Sequence, residues 1–145
     1  MRIGIVCPYS FDAHGGVQVH VMDLAGELFR RGHEVQVLAP ASQETELPEW
    51  VTSAGDSIAI PYNGSVARLN FGALVARRAR RWLDAGDFDI LHIHEPITPS
   101  VGMLALQAAT GPVVGTFHAA MDRSLVRELL SPATVPLMEK LSARI

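Results

Sequence analysis

The chain has 145 residues, 48% of them apolar and 19% charged, which suits one soluble globular domain with a proper core and leaves little room for two. A formal net charge of −3 and a pI near 6.0 exclude a global pull toward nucleic acid, so any attraction to anions is local. One cysteine, Cys7, excludes an internal disulfide and reads as a small buried hydrophobe in a cytosolic protein.

The first apolar run makes a strand of Arg2 to Cys7. Pro8 cuts that run too early for a secretory signal, so the mature protein is expected to start at Met1. A polar turn then leads into His14-Gly15-Gly16-Val17-Gln18, where a long helix begins. Val17, Val21, Leu24, Ala25 and Leu28 form one apolar stripe along it, and Gly32 sits where a C-terminal cap belongs. The first helical turn has unpaired N–H groups that carry the positive end of the helix dipole. A glycine pair lets an anion approach them, so Gly15 and Gly16 read as a phosphate seat. The competing reasons for such a pair are a loop that needs positive φ and close strand–helix packing. The dinucleotide fingerprint Gly-x-Gly-x-x-Gly is absent and nine residues, Pro8 to Gly16, separate strand from helix. The second strand runs into Leu38-Ala39-Pro40-Ala41-Ser42 with no acid to grip a ribose, which argues against a nicotinamide enzyme.

Further strand-like runs at Glu34 to Ala39, Ser57 to Pro61, Phe88 to His92 and Val113 to Phe117 alternate with helical patterns. The class is therefore α/β, an open parallel sheet with helices on both faces. Ala41 to Asp56 reads as an irregular excursion, and Asn63-Gly64-Ser65 as a turn. In the loop from Asn63 to Phe71, Arg68 is expected near the carboxyl edge of the sheet, where it is either a phosphate contact or a plain surface arginine. Arg77, Arg78, Arg80 and Arg81 supply a third of the 12 Lys and Arg and span about 160° of one helical face, opposite Val75, Ala79, Trp82 and Leu83. Such a helix docks its apolar side on a sheet and offers guanidinium groups to lipid head groups or another polyanion; the bland alternative is a solvated face. Pro96 to Phe117 carries no charge, but Gly111-Pro112 divides it into a buried helix and a buried strand rather than a membrane span. Met121 to Leu130 and Pro136 to Ile145 look helical, with a break at Ser131-Pro132. The chain ends inside a helical pattern, which suggests that the parent polypeptide continues.

His92 and His94 have strand spacing and share a face, and His118 closes the last strand. Ligands gather outside the carboxyl ends of strands in open α/β sheets, so these rings fall where a site belongs. His118 is the best single candidate for direct ligand contact and His14 the second; His20 and His33 read as helix and turn positions without special meaning. A metal set of His92, His94, Glu95 and His118 is conceivable, but His-x-His spacing is common and no cysteine joins it, so no metal is assigned. The nucleophile elbow, the P-loop and His-Glu-x-x-His are all missing, which lowers hydrolase and kinase readings. Nothing singles out Asp12, Glu95 or Asp122 as a nucleophilic carboxylate.

The N-terminal stretch through Cys7-Pro8-Tyr9-Ser10-Phe11-Asp12, with Gly15-Gly16-Val17-Gln18, Ile60-Pro61-Tyr62-Asn63-Gly64-Ser65-Val66-Ala67-Arg68, Asp89-Ile90-Leu91-His92-Ile93-His94-Glu95-Pro96 and Thr116-Phe117-His118, resembles the N-terminal half of GT-B glycosyltransferases of family 4. Within that family it is similar to the actinobacterial phosphatidyl-myo-inositol α-mannosyltransferases. The resemblance implies transfer of mannose, with retention, from GDP-mannose to phosphatidylinositol on the inner face of the plasma membrane, by a cytoplasmic, peripheral enzyme. It implies that Gly16, beside Gly15, meets the donor pyrophosphate and His118 the donor sugar. It places Tyr9, Gln18, Asn63 and Arg68 in the acceptor pocket, with Arg68 or Arg123 on the phosphoinositol charge. The helix of Arg77, Arg78, Arg80 and Arg81 would bring the enzyme to the anionic leaflet. No tightly bound cofactor or nucleic-acid partner is implied, and dependence on Mg2+ is left open. Residues 1–145 would be the acceptor-binding domain; the nucleotide-sugar domain, with its Glu-x7-Glu element, is absent, so these residues alone are expected to fold but turn over little substrate. Ala119 and Ala120 stand where related sequences often carry hydroxyl residues. Two alternatives stay open: a UDP-sugar enzyme with a soluble inositol phosphate or sugar acceptor, and a non-enzymatic module that binds a phosphorylated ligand.

Overall fold

Short runs rich in valine, isoleucine and leucine bury on both sides and therefore pair in parallel. In the computed structural model, which describes residues 1–62, 65–118 and 126–145, six of them form one sheet. Its strands are β1 (Arg2–Val6), β2 (Glu34–Ala39), β3 (Val51–Ser53), β6 (Ile90–His94), β7 (Val113–Thr116) and β8 (Leu141–Arg144), in the order β3-β2-β1-β6-β7-β8. Every pairing in this sheet is parallel. Growth turns from one direction to the other at β1, so the gap between β1 and β6 is the topological switch point of a doubly wound fold.

Helix α1 (Gly16–Arg30) covers one face. Its Val21 and Ala25 are fully buried against Ile3, Ile5, Val35 and Val37. It ends as expected: Gly32 takes φ +84°, its N–H donates to Phe29 O at 2.9 Å and that of His33 to Leu28 O at 3.1 Å, a Schellman closure. Helices α2 (Ala73–Gly86) and α3 (Val101–Ala108) cover the other face through Val75, Ala79, Trp82, Leu104 and Ala105. With α4 (Val126–Glu139), whose Leu137 and Met138 join that second cluster, helices lie on both sides of the sheet. Among the described residues no helix is long and apolar enough to cross a membrane.

Three expectations are corrected. Ser57 to Pro61 is not the third sheet strand: Ile58–Tyr62 (β4) pairs antiparallel with Ser65–Leu69 (β5) as a separate hairpin, so Arg68 lies on a strand rather than in a loop. The sheet's third strand is instead the three-residue β3, inside the stretch read as irregular and too short to show periodicity. At the other edge, α4 continues through Pro132 and Pro136, and Leu141–Arg144 is a strand rather than helix. The strand pairs with β7, and Leu141 fills the slot left at Gly115, where a Cβ would stand 2.9 Å from Leu141 Cδ1.

Gly4 has the same role in the centre of the sheet. A Cβ on it would lie 2.8 Å from a Phe88 ring carbon and 2.9 Å from a Trp82 ring carbon. We expect Gly4→Val to lower unfolding free energy by about 1–3 kcal/mol through overpacking. Gly26→Ala, on an exposed part of α1 where a Cβ meets nothing within 4 Å, should raise it by about 0.5–1 kcal/mol. Urea denaturation measures both, and equal midpoints would refute this account of the core.

Candidate active site

The loops that leave β1, β6 and β7 meet at the switch point and, with the β4–β5 hairpin, surround an open cleft of about 640 Å3. Of the residues singled out in the sequence, Tyr9, Gly15, Gly16, Gln18, Arg68 and His118 all line it, joined by His14 and Glu95. Asn63, Arg123 and Asp122 lie outside the described residues. A second cavity of about 430 Å3 opens at the opposite end of the strands, beside Arg80, Asp87 and Gly111, away from this cluster.

Gly16 is the first residue of α1, and the first main-chain bond of the helix runs from Val19 N–H to Gly15 O at 3.0 Å. The amides of Gly16, Val17 and Gln18 are thus ahead of the helical ladder, where the dipole favours an anion. No acidic side chain occupies the first turn to compete for them. The two glycines have different reasons. Gly15 is extended, with φ −161°, and is small because the Gln18 amide lies against it: a Cβ would meet Oε1 at 2.5 Å. Gly16 has no positive φ, and among the described residues a Cβ there would meet no neighbour within 4 Å, so neither backbone strain nor their packing requires it.

Gln18 and Asp12 hold the loop in front of this helix. The Gln18 amide donates to Ser10 O at 3.2 Å and Ala13 O at 3.3 Å. The Asp12 carboxylate accepts from the Ser10 hydroxyl at 2.8 Å, Ser42 N–H at 2.8 Å and the Thr45 hydroxyl at 2.6 Å, tying the loop to the chain after β2. Partial burial pushes the Asp12 pKa up, but these hydrogen bonds outweigh it and leave the group below the ordinary carboxylate value. Asp12 is therefore a strut. Cys7 is fully buried and its thiol is raised to about 12, first by burial, so it is inert.

Four histidine rings pack together as a floor beside the cleft: three are stacked and the fourth meets two of them edge-on. His92 and His94 stack with centroids 4.6 Å apart, and His94 and His118 with centroids 5.0 Å apart. His92 Nε2 meets Thr116 Oγ1 at 2.7 Å, and His94 Nδ1 meets His118 Nε2 at 2.7 Å, so one proton lies between these two rings. His20 was read as a plain helix position, which is corrected here: its ring sits edge-on to both His94 and His118, at 5.5 and 5.3 Å. Burial, then the neighbouring rings, pulls His92 down to about 4 and His94 to about 3. His118 is lowered too, first by burial, while the Glu95 carboxylate works the other way.

Glu95 fixes where His118 starts. It is buried with φ +50°, and its N–H donates to Thr116 O at 2.8 Å while its Oε1 accepts His118 N–H at 2.5 Å. The carboxylate clamps the end of β7 to the end of β6, and the His118 ring projects into the exposed cleft. On α2, Arg77, Arg78, Arg80 and Arg81 are all exposed, but the Arg78 guanidinium also donates to Ala54 O at 3.1 Å and covers Gly55, pinning the helix to the end of β3.

The buried rings make stability depend on pH. His92 and His94 have folded pKa values below the unfolded value near 6.5, so the unfolded chain binds protons that the fold refuses. Their contribution is complete above about pH 6.5 and is lost as pH falls toward 4 and then 3. In buffer with a chelator, the urea midpoint should fall between pH 7 and pH 4, and His92→Gln should flatten part of that slope; parallel slopes would show that His92 titrates normally.

Residues 14–144 match the model of the Glycosyltransferase Family 4 domain. The phosphatidyl-myo-inositol mannosyltransferase of Mycolicibacterium smegmatis (strain ATCC 700084 / mc(2)155) is 56% identical over 145 residues, which is 100% of this chain and 38% of that protein. The D-inositol 3-phosphate glycosyltransferase of Mycolicibacterium gilvum (strain PYR-GCK) is 31% identical over 123 residues, covering 77% of this chain and 27% of that one. The chain therefore spans less than two fifths of the length of these curated relatives. A crystal structure of MurG from Acinetobacter baumannii superposes with a TM-score of 0.58 at 15% identity, over 98% of this chain and 40% of that one, and supports the GT-B type of fold. The chain belongs to glycosyltransferase family 4.

Proposed function

We propose that this domain is the acceptor-side half of a retaining glycosyltransferase that moves mannose from GDP-mannose to phosphatidylinositol at an anionic membrane surface. The observation that carries the reading is the cleft at the switch point, where the Gly16 amides, His118, Tyr9 and Arg68 face one space. The 56% identity to a relative named for mannosyl transfer to phosphatidyl-myo-inositol supplies the substrate class.

In this reading the donor diphosphate sits before the first turn of α1. Charge that develops on the leaving phosphate oxygen is stabilised by preorganised amides in a partly dry site. The inositol hydroxyl attacks the anomeric carbon on the face from which the diphosphate departs. The bond from carbon to phosphate oxygen breaks with its electron pair going to that oxygen, which takes the hydroxyl proton. His118 contacts the donor sugar and orients it for this displacement, and Arg68 meets the acceptor phosphate. A separate nucleotide-sugar domain supplies the remaining donor contacts.

The surface of α2 and the segment before it support membrane association in this reading. Exposed Phe71 and Leu74 lie next to exposed Arg77, Arg80 and Arg81, a pairing of apolar and cationic groups that suits the head-group region of an anionic leaflet. The enzyme would act as a cytoplasmic, peripheral protein of the inner face. The 31% identity to a D-inositol 3-phosphate glycosyltransferase favours a second reading, in which the acceptor is a soluble inositol phosphate and the donor a UDP-sugar.

Transfer of labelled mannose by the full-length protein that carries this domain tests the first reading. His118→Ala should lower kcat by about 10²–10³-fold, the size of loss seen when one preorganised catalytic contact is removed. Gly16→Val should leave the thermal midpoint nearly unchanged, because a Cβ there meets no described atom within 4 Å, and raise the donor KM at least about tenfold by projecting into the phosphate seat. Wild-type transfer rates in both variants would sink the assignment. For the membrane, replacing Arg77, Arg80 and Arg81 by Gln should weaken flotation with phosphatidylinositol vesicles about 100-fold, at about 1 kcal/mol per cation. Transfer to a soluble acceptor with no vesicle binding would favour the second reading.

A further inference from the structure

Glycosyl transfer as read above uses one ring of the histidine floor, and the remaining rings have no task in it. His92 is committed to Thr116. His94 and His118 are hydrogen-bonded to each other at 2.7 Å and His20 meets both rings edge-on; each of the three offers one ring nitrogen, and the three nitrogens lie within 4.8 Å of one another. They come from three elements, α1, β6 and the end of β7, that converge only in the folded chain. His94 is fully buried with its Nδ1 turned to His118, and among the described residues its Nε2 has no hydrogen-bond partner, so only the contact between the two rings holds the His94 imidazole by its nitrogens.

The donor set selects the ion. A neutral imidazole keeps one nitrogen lone pair free, and the burial that lowers His94 and His118 favours that neutral form. Three imidazoles without thiolate or carboxylate suit Zn2+ and its neighbours Co2+, Ni2+ and Cu2+, and do not suit Mg2+ or Ca2+. With bonds of about 2.0–2.1 Å to nitrogen, tetrahedral ligands stand about 3.4 Å apart. The His94–His118 pair at 2.7 Å therefore has to open slightly and His20 to swing in. His20 and His118 are exposed, His118 on the wall of the cleft, while buried His94 is the fixed point.

We propose that His20, His94 and His118 form a three-histidine site for a borderline divalent transition-metal ion, with Zn2+ as the natural occupant and a fourth coordination position open to the cleft. Occupancy draws the His118 ring onto the ion and away from the donor sugar, so the site is inhibitory and exchangeable. That consequence, unlike the binding itself, rests on His118 as a donor contact.

Titration of the metal-free, full-length protein with Co2+ tests the binding without reference to catalysis. We expect one equivalent to give the visible absorption of a four- or five-coordinate cobalt centre, displaced by Zn2+ and unaffected by Mg2+. His20→Ala, a change at an exposed helix position, should weaken binding at least about 100-fold, as should His118→Ala, while His14→Ala and His33→Ala keep wild-type affinity. Absence of the band, or a band that survives in His20→Ala, overturns the site. The inhibitory role is read separately: Zn2+ should lower wild-type transfer, a chelator should restore it, and His20→Ala should resist. A cobalt spectrum as expected with transfer insensitive to Zn2+ overturns the inhibition and leaves the site.

Discussion

Everything at the candidate site depends on the reversal of sheet growth at β1. A parallel strand needs a crossover before its neighbour can pair, and the crossovers on the two sides of β1 run over opposite faces. The loops after β1 and β6 therefore part instead of closing over each other, and their ends frame a space that no side chain of the core fills. The helix that follows β1 begins at this gap, so its leading amides face the same space as the residues ending β6 and β7. Phosphate affinity and ring chemistry meet there because of chain topology, without any local motif that contains both.

Holding that rim in place requires unusual local choices. Glu95 adopts a left-handed backbone that a non-glycine residue rarely takes, and three hydrogen bonds around it keep it there: its N–H to Thr116, its carbonyl to Thr98 and its carboxylate to His118. His94 is buried with a ring nitrogen that has no partner among the described residues, a cost that most cores avoid. Such compromises concentrate at the carboxyl edge of the sheet. Elsewhere the molecule follows ordinary rules: valine, isoleucine and leucine in the strands, a Schellman-closed α1, and small residues where rings or leucines must approach a strand.

Several elements were readable from local pattern. The first strand, α1 with its glycine closure, and the second strand appear with nearly the expected bounds, because each carries a strong periodic or capping signal. The strand at Val51–Ser53 and the one at Leu141–Arg144 carry no such signal. Both are short edge strands whose existence comes from pairing with β2 and β7. The β4–β5 hairpin is half legible: Ile58 to Pro61 reads as a strand, whereas Val66 to Leu69, read as loop, gains its strand character by pairing with it. At the site, Gly16 and His118 could be named from their places at a helix start and a strand end, while His20 could not, because nothing in its neighbourhood along the chain separates it from any exposed helix position.

By itself the sequence determined the α/β class, the helix start able to receive an anion, and the family, since these depend on residue type and short-range spacing. The tertiary structure alone decided which side chains share a space: that Arg68 reaches the cleft from a hairpin, that Arg78 is spent on the Ala54 carbonyl, and that His20 joins His94 and His118. The physical reason is that such contacts join residues far apart in sequence, between elements whose relative placement is set by strand order and core packing, and a sequence pattern carries no term for distance across the sheet.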